Sequence, residues 1–476
     1  MFGAARGAPA RQCHANVLPM AQVSLGSAPR DWLLPKDCMT TTTHLLRRRR
    51  FLPLFVTQLL GAFNDNLFKN AMVLYVVYSL YNSESAEAAF SGVASALFII
   101  PFVVLSALSG QLADMRDKAR IIRLVKLAEI VIMMVGAAGL VLAWQGLMVE
   151  IVAIPLMLVA LFAMGVHSPF FGPIKYAILP QHLHQDEVLA GTGLVEAGTY
   201  VAILAGTILA GWIPVEWAAA GVVITALLGW FSARYVPPAP AQGEVVPLDY
   251  HFIRASITLI RQTSHDRRVF LAIGAISFFW AVGTILFIQF PPLAKNVLMA
   301  SKEVASLFLV VFSIGVALGS VSINALLRGR VSARYAPPAV LAMSLFVVAF
   351  WAVCARWTPL AGDGLMNAAQ FVHHPLAVPL LLSLLGIAVS GGMFVVPLYA
   401  FLTTFVDKTQ TARTIAANNI VNSGAMVGGA LLAMGLSAVG VGIVRQLLLS
   451  AALCVVSAWL GWRLFRAECR HAPAAA

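Results

Sequence analysis

From residue 51 onward, apolar runs of membrane-spanning length alternate with short polar breaks. Twelve runs lie near 51–80, 88–112, 121–144, 148–171, 189–212, 217–236, 269–294, 303–327, 337–358, 375–402, 414–438 and 441–465. A helix needs about 20 apolar residues to cross the hydrocarbon core of a bilayer. The pattern therefore predicts an all-α membrane protein with twelve transmembrane helices.

A longer polar segment, 237–268, separates the first six runs from the last six. Its prolines at 237, 238 and 240 end the sixth helix. Further along, apolar residues recur at helical spacing opposite Arg254 and Arg261, which predicts an amphipathic helix on the cytoplasmic face of the membrane. These apolar residues are Phe252, Ile253, Ile257 and Ile260.

The predicted organisation has five parts. They are a flexible N-terminal extension (1–46), a six-helix bundle (47–236), a cytoplasmic linker with the amphipathic helix (237–268), a second six-helix bundle (269–466) and a C-terminal tail (467–476). Met39, inside the extension, is an alternative start residue, and the extension lacks the apolar core of a signal peptide.

Three motifs recur in the same order in the two halves. GQLADMRDKAR (110–120) corresponds to GSVSINALLRGR (319–330), PIKYAIL (173–179) to PLYAFL (397–402), and TGLVEAG (192–198) to NNIVNSG (418–424). The last match places Glu196 opposite Asn422. Such internal similarity predicts two pseudo-symmetric bundles that arose from one duplicated unit.

The composition excludes several classes of protein. Hydrophobic residues make up 60% of the 476 residues and charged residues only 11%, whereas soluble domains carry about 25% charged residues. The five cysteines show no CxxC spacing, so we expect neither a disulfide framework nor a metal site. The chain has no Walker loop, which argues against direct use of ATP. We therefore expect no cofactor.

The net charge of +12 is concentrated in alternate loops, on one side of the predicted membrane. Loops on the other side carry mainly Glu and Asp. By the positive-inside rule, both termini lie in the cytoplasm and the number of spans is even. This distribution accounts for the charge without a nucleic-acid partner. The basic residues include Arg47–Arg50, Arg116, Lys118, Arg120, Arg123, Arg254, Arg261, Arg267, Arg268, Arg328, Arg330, Arg334, Lys408, Arg413, Arg463, Arg466 and Arg470.

The loop between the second and third spans is the first functional candidate. Gly110 permits close helix approach, and Asp114 can face the positive N-terminal end of a neighbouring helix. Arg116 and Arg120 hold the loop on the cytoplasmic side. The stretch GQLADMRDKAR (110–120) resembles the GxLADrxGrk loop of the major facilitator superfamily. The resemblance implies a conformational switch, the alternative being a solvated run of charges at a helix end.

The first span carries the second candidate. Gln58, Asp65 and Lys69 share one helix face, and Asn66 follows Asp65. A charge at the bilayer centre costs about 3 kcal/mol, so these residues should face the interior of the bundle. Asp65 and Lys69 can pair at i,i+4. A substrate-binding or gating role is predicted, the alternative being a structural ion pair.

Three further polar residues lie in or beside spans of the two halves. Lys175 follows a proline at the end of span four and serves either as a phosphate contact or as a membrane-surface anchor. Glu196, within span five, either lines a cavity or makes a structural hydrogen bond. Asn422, in span eleven, either binds substrate or holds helices together.

Charged groups inside the spans lie almost entirely in the first half, whereas span seven is nearly all apolar. We interpret Lys126 and Glu129 as a structural pair and His167 as a hydrogen-bonded core histidine. The unequal distribution of charged groups between the halves lets one half hold a charged head group and the other an acyl chain. It therefore favours an amphiphilic substrate over a sugar or an ion.

Several blocks resemble the lysophospholipid transporter (LplT) family of the major facilitator superfamily. They are FVTQLLGAFNDNLFKNAMVL (55–74), FFGPIKYAILPQHL (170–183), GLVEAGTYVAILAGTILAG (193–211), GGMFVVPLYAFL (391–402) and AANNIVNSGAM (416–426). The resemblance covers about residues 51–465. It implies the major facilitator fold, a multi-pass location in the bacterial inner membrane, and inward movement of lysophosphatidylethanolamine and lysophosphatidylglycerol.

The resemblance also implies partners and site residues. The partners are the lysophospholipid, membrane lipids and a cytoplasmic acyltransferase–acyl-carrier-protein synthetase that restores the missing acyl chain. Asp65 with Asn66, Lys175 and Glu196 match polar positions of the family. The arginine expected in span seven is absent from VGTILFIQF (282–290), which leaves the head-group preference and the gating charge pair open.

Two other functions are compatible with parts of the sequence. A proton-coupled exporter of small amphipathic compounds shares the 110–120 loop, and Glu196 or Asp65 would then carry the proton. A membrane-bound acyltransferase needs a catalytic histidine. The sequence has no His-x4-Asp pair and only His167 inside a span, so we predict that the chain is not an enzyme.

Overall fold

The computed structural model of the protein describes residues 44–76, 80, 84–242, 248–249, 251–358 and 365–471. The predicted extension lies outside these residues up to residue 43, Met39 included, as does the tail from residue 472. Within them the chain forms twelve long helices. These are α1 (Leu52–Tyr75), α2 (Glu84–Met115), α3 (Lys118–Trp144), α4 (Ile154–Phe171), α5 (Val188–Trp212), α6 (Val215–Arg234), α7 (Arg267–Asn296), α8 (Lys302–Leu327), α9 (Ala336–Ala355), α10 (Ala377–Thr404), α11 (Thr411–Ala438) and α12 (Ile443–His471).

The long helices follow the predicted spans to within a few residues at most of their ends. Eleven stretches of the described chain are long and apolar enough to cross a membrane. α1 is the long helix missing from that set, because polar side chains interrupt its apolar sequence. These are Gln58, Asn64, Asp65, Asn66, Lys69 and Asn70.

The two halves are packed in the same way. In the first half α1 packs against α5 and α6, α3 against α4 and α6, and α2 against α4. The second half repeats this pattern, with α7 against α11 and α12, α9 against α10 and α12, and α8 against α10. The predicted pair of pseudo-symmetric six-helix bundles is therefore confirmed.

The halves meet through α2 with α11 and through α5 with α8. We call the end of the bundle that carries Asp114 and Arg413 the basic end. A Cβ on Gly110 would lie 2.5 Å from the Cβ of Ala416. A Cβ on Gly193 would collide with the backbone oxygen of Ser320. Glycine at these positions allows backbone-to-backbone packing, so the halves are in direct contact at the basic end.

The predicted amphipathic helix is present as the linker helix (Phe252–Thr263). It packs against α2 and α11 at the basic end, with Ala255 and Leu259 buried. Ile253 and Ile257 of the predicted apolar face are exposed. Just before this helix, hydrogen bonds from Arg254 lower the pKa of the Asp249 carboxyl.

Candidate functional site

The polar face of α1 points into the first half. Gln58 is buried, and its Oε1 accepts a hydrogen bond of 2.9 Å from the Thr199 hydroxyl of α5. Asp65 faces α4, where the Ser168 hydroxyl lies 3.4 Å from its Oδ2. The other carboxylate oxygen of Asp65 is buried without a hydrogen-bond partner. Asn66 donates to the carbonyl of Ala62 in its own helix.

The possible ion pair between Asp65 and Lys69 does not form. None of the ion pairs among the described residues joins them. The Lys69 ammonium lies 5.7 Å from the centre of the Phe98 ring on α2, whereas Asp65 turns toward α4. The two residues share a helix face, but their side chains reach different neighbours.

A buried group of polar and charged side chains fills the space between α1, α3 and α4. Lys126 Nζ lies 2.6 Å from Glu129 Oε2. Glu129 Oε1 accepts a 2.9 Å hydrogen bond from Asn64, and His167 Nε2 lies 3.7 Å from Glu129 Oε2. We call this group the charged cluster; its members are Asn64, Asp65, Lys126, Glu129, His167 and Ser168.

The charged cluster contains two features that the sequence predicted, the Lys126–Glu129 pair and the hydrogen-bonded His167. Lys126 and Glu129 do form a pair, and Gly61 makes room for it because a Cβ there would lie 2.5 Å from Lys126 Nζ. His167 is hydrogen-bonded, with Nδ1 2.7 Å from the Met164 carbonyl oxygen. The sequence did not indicate that both features belong to one cluster with Asp65.

A second polar group crosses between the halves. The turn Ile174–Ala177 places Tyr176 so that its hydroxyl donates to Glu196 of α5. The Tyr176 ring stacks on Tyr399 of α10, with 4.8 Å between ring centres and 10° between planes. Tyr399 Oη accepts hydrogen bonds from Trp280 Nε1 (3.2 Å) and Asn422 Nδ2 (3.3 Å). Glu196 and Asn422, matched by the internal repeat, are thus connected through two stacked tyrosines.

Lys175 joins this group from the side of the first half. Its Nζ lies 3.4 Å from the Thr199 hydroxyl, which also contacts Gln58. The same ammonium is 4.9 Å from the centre of the Tyr176 ring. The structure therefore brings Gln58, Lys175 and Glu196 into one connected polar region.

Replacing Tyr399 by Phe should destabilise the protein. The change removes the oxygen that accepts from Trp280 and Asn422. An unsatisfied buried donor costs about 1–3 kcal/mol. We therefore expect Tyr399→Phe to lower the midpoint of thermal unfolding in detergent. Tyr235→Phe, at an exposed position, is the matched control, and equal midpoints for the two variants would contradict the prediction.

Of the predicted switch residues, two make the contact between the halves at the basic end. Asp114 accepts hydrogen bonds from the backbone N–H groups of Ala412 (2.9 Å) and Arg413 (3.0 Å) in the first turn of α11. The predicted contact of Asp114 with a helix N-terminus is therefore confirmed. Gly110 allows the close approach, and Arg116 and Arg120 are exposed.

The second half offers aromatic rings where the first offers charge. Four phenylalanines of α7 and α8 form edge-to-face contacts, with 4.8 Å between the ring centres of Phe287 and Phe312. The other two are Phe290 and Phe308. The described part of the chain holds no group of His, Cys, Asp and Glu that could bind a metal ion. The arrangement suits a molecule with one charged and one apolar end.

Comparison with known proteins agrees with this architecture. A model of the Major Facilitator Superfamily matches residues 54–430. The lysophospholipid transporter LplT of Cronobacter sakazakii is 28% identical over 431 residues, or 87% of this chain and 96% of that protein. LplT of Salmonella newport is 24% identical over 403 residues, or 82% and 88% of the two chains. The structure of the human organic anion transporter TETRAN is similar in fold, with a TM-score of 0.66, 14% identity and coverage of 87% and 99%.

Proposed function

This chain belongs to the major facilitator superfamily, and from that premise we propose that it moves lysophospholipids from the outer to the inner leaflet of a bacterial inner membrane. It is a multi-pass membrane transporter of the LplT type and not an enzyme. Lysophosphatidylethanolamine and lysophosphatidylglycerol are the expected substrates. A cytoplasmic acyltransferase–acyl-carrier-protein synthetase is the expected partner, which would reacylate the product.

The observation that carries this proposal is the unequal distribution of charge between the two bundles. The charged cluster and Lys175 with Glu196 lie in the first half. The second half carries the phenylalanines of α7 and α8, of which Phe312 contacts Tyr200 of the first half, and the amide of Asn422. A lipid with a single tail has a charged end and an apolar end, and each would find matching surroundings.

Three residues are proposed to contact the head group. Lys175 offers a point charge to a phosphate. Glu196 would meet an ammonium group, in place of or beside the Tyr176 hydroxyl that it now accepts from. Asp65 has a carboxylate oxygen without a partner, and it is proposed as a second acceptor for the same ammonium group. Gln58, Asn66, Lys69 and Asn422 are proposed to support binding or gating.

Movement would follow alternating access, in which one bundle rocks against the other around the central site. The contact of Gly110 with Ala416 and the hydrogen bonds of Asp114 close the basic end. We take this end to be cytoplasmic because Lys and Arg accumulate there. Opening toward the cytoplasm would then require these contacts to break.

The decisive measurement is inward movement of labelled lysophosphatidylethanolamine in proteoliposomes. The lipid is added to the outside, and the fraction that albumin can no longer extract is followed with and without a proton gradient. We expect protein-dependent protection from extraction. A rate equal to that of protein-free vesicles would refute the proposal, and gradient-driven export of amphipathic compounds instead would favour the alternative exporter.

A further inference from the structure

His167 is buried on α4 with both ring nitrogens facing hydrogen-bond acceptors. Nδ1 lies 2.7 Å from the Met164 carbonyl oxygen and Nε2 lies 3.7 Å from Glu129 Oε2. A carbonyl oxygen can only accept, so Nδ1 must carry a hydrogen. A neutral imidazole has a single N–H, and its Nε2 would then turn a lone pair toward a carboxylate. The surroundings therefore fit the doubly protonated ring.

The charged groups that face His167 come from two neighbouring helices. Helix α3 contributes Lys126 and Glu129, and α1 contributes Asp65. Helix α2 carries no charged residue between 88 and 113. On the same helix as His167, the Ser168 hydroxyl lies 3.3 Å from His167 Nδ1 and 3.4 Å from Asp65 Oδ2.

Two more charged groups lie further from His167. Lys69 lies over the Phe98 ring, and Lys175 lies beside Thr199.

Glu129 does not depend on His167 for its charge balance. Its two oxygens already contact the Lys126 ammonium at 2.6 Å and the Asn64 amide at 2.9 Å. The proton on His167 Nε2 can therefore leave while both of these contacts stay in place. His167 can therefore bind and release a proton while the contacts of Glu129 with Lys126 and Asn64 are kept.

We propose that His167 is a proton-binding site, in which Nε2 holds a proton against the Glu129 carboxylate, and that this proton opposes the binding of a positive charge at Asp65. Asp65 is linked to His167 by the Ser168 hydroxyl. Like charges repel strongly in a buried environment. The inference rests on the proposed function in one respect, since the expected cation is the ammonium of lysophosphatidylethanolamine. When it binds, the proton leaves Nε2 for water and the total charge of the region is unchanged.

The proton site is tested first without any ligand. Protein labelled with 15N-histidine is examined by NMR at pH 7, and the His167 signals are assigned by their loss in His167→Gln. We expect both ring nitrogens of His167 to be protonated. In Glu129→Gln the new amide can donate to Nε2, so the ring should become neutral. Glu150→Gln, at an exposed position, should leave the signals unchanged. A neutral His167 in the unaltered protein would overturn the proposal.

The opposition between proton and cation is tested with purified protein in weakly buffered detergent solution. Binding of each lysolipid is measured directly while a pH indicator records proton release. We expect lysophosphatidylethanolamine to release protons and lysophosphatidylglycerol, which has no ammonium, to release none. In His167→Gln the release should disappear while binding persists, and His182→Gln should behave like the unaltered protein.

The outcomes separate the two proposals. Binding of lysophosphatidylethanolamine without proton release, or equal release in His167→Gln, would overturn the coupling and leave the transport function standing. If neither lysolipid binds, the proposed function fails and the coupling fails with it. The ligand-free spectra still decide whether His167 holds a proton.

Discussion

Replacing Asp65 by Asn is expected to reduce lysophospholipid uptake at least about tenfold, since a hydrogen bond to a charged group is worth about 1.5–3 kcal/mol. The side chain keeps its volume, and an amide oxygen can still accept from Ser168. The negative charge at the buried, unpartnered oxygen is lost. The variant should therefore fold and enter the membrane normally but fail to hold the head group.

Spheroplasts that take up labelled lysophosphatidylethanolamine give the measurement, with uptake divided by the amount of protein in the membrane. Glu150→Gln removes one negative charge at an exposed position and should leave uptake unchanged. Normal uptake by Asp65→Asn would end the proposed role of Asp65.

Replacing Gly110 by Ala should force the basic end apart. The new Cβ would lie 2.5 Å from the Cβ of Ala416 and 3.1 Å from the Cα of Arg413. Neither atom belongs to a flexible side-chain end, so the helices themselves must move. Overpacking of this kind costs about 1–3 kcal/mol. That cost corresponds to a shift of about fivefold to over a hundredfold from the closed to the open basic end.

The shift can be measured by the distance between spin labels on Gln185→Cys and Lys408→Cys, two exposed positions in different halves. The five natural cysteines are first replaced. Gly428→Ala is the control on α11, where a Cβ meets no atom within 4 Å. We expect the distance between the labels to increase in Gly110→Ala and to stay unchanged in Gly428→Ala. An unchanged distance distribution would show that the contact does not hold the basic end closed.

The helical architecture follows from the sequence because lipid imposes one strong requirement. A segment that crosses a membrane must be apolar and must satisfy its backbone internally, so the apolar runs predict the helices and their ends. α1 departs from this rule, since its polar residues are covered by α5 and α6 and by Glu129 and Ser168 of α3 and α4. Its apolar residues and length still indicated a span.

The contacts of the site could not be predicted in the same way. Asp65 and Lys69 are four residues apart, but the side-chain directions are set by Ser168 of α4 and Phe98 of α2. Neither of these neighbours can be identified from the sequence of α1. The charged cluster was missed for the same reason, since Lys126 and His167 lie about forty residues apart in the sequence.

The tyrosine stack is a different case, because its signal was present in the sequence. PIKYAIL and PLYAFL are corresponding motifs of the internal repeat, and each carries one of the two tyrosines. Equivalent positions close to a pseudo-two-fold axis come near each other. A shared aromatic residue in matched motifs is therefore a usable indication of contact between the halves.

The hydrogen bonds around that stack have a mechanical consequence. Tyr176 is tied to Glu196 within the first bundle, and Tyr399 is tied to Trp280 and Asn422 within the second. Between the two rings there is only a flat face-to-face contact, which tolerates sliding and rotation. The stack can thus serve as a pivot that turns without losing a directional bond. The resistance to turning would then be concentrated at Asp114, whose bonds reach from one bundle to the other.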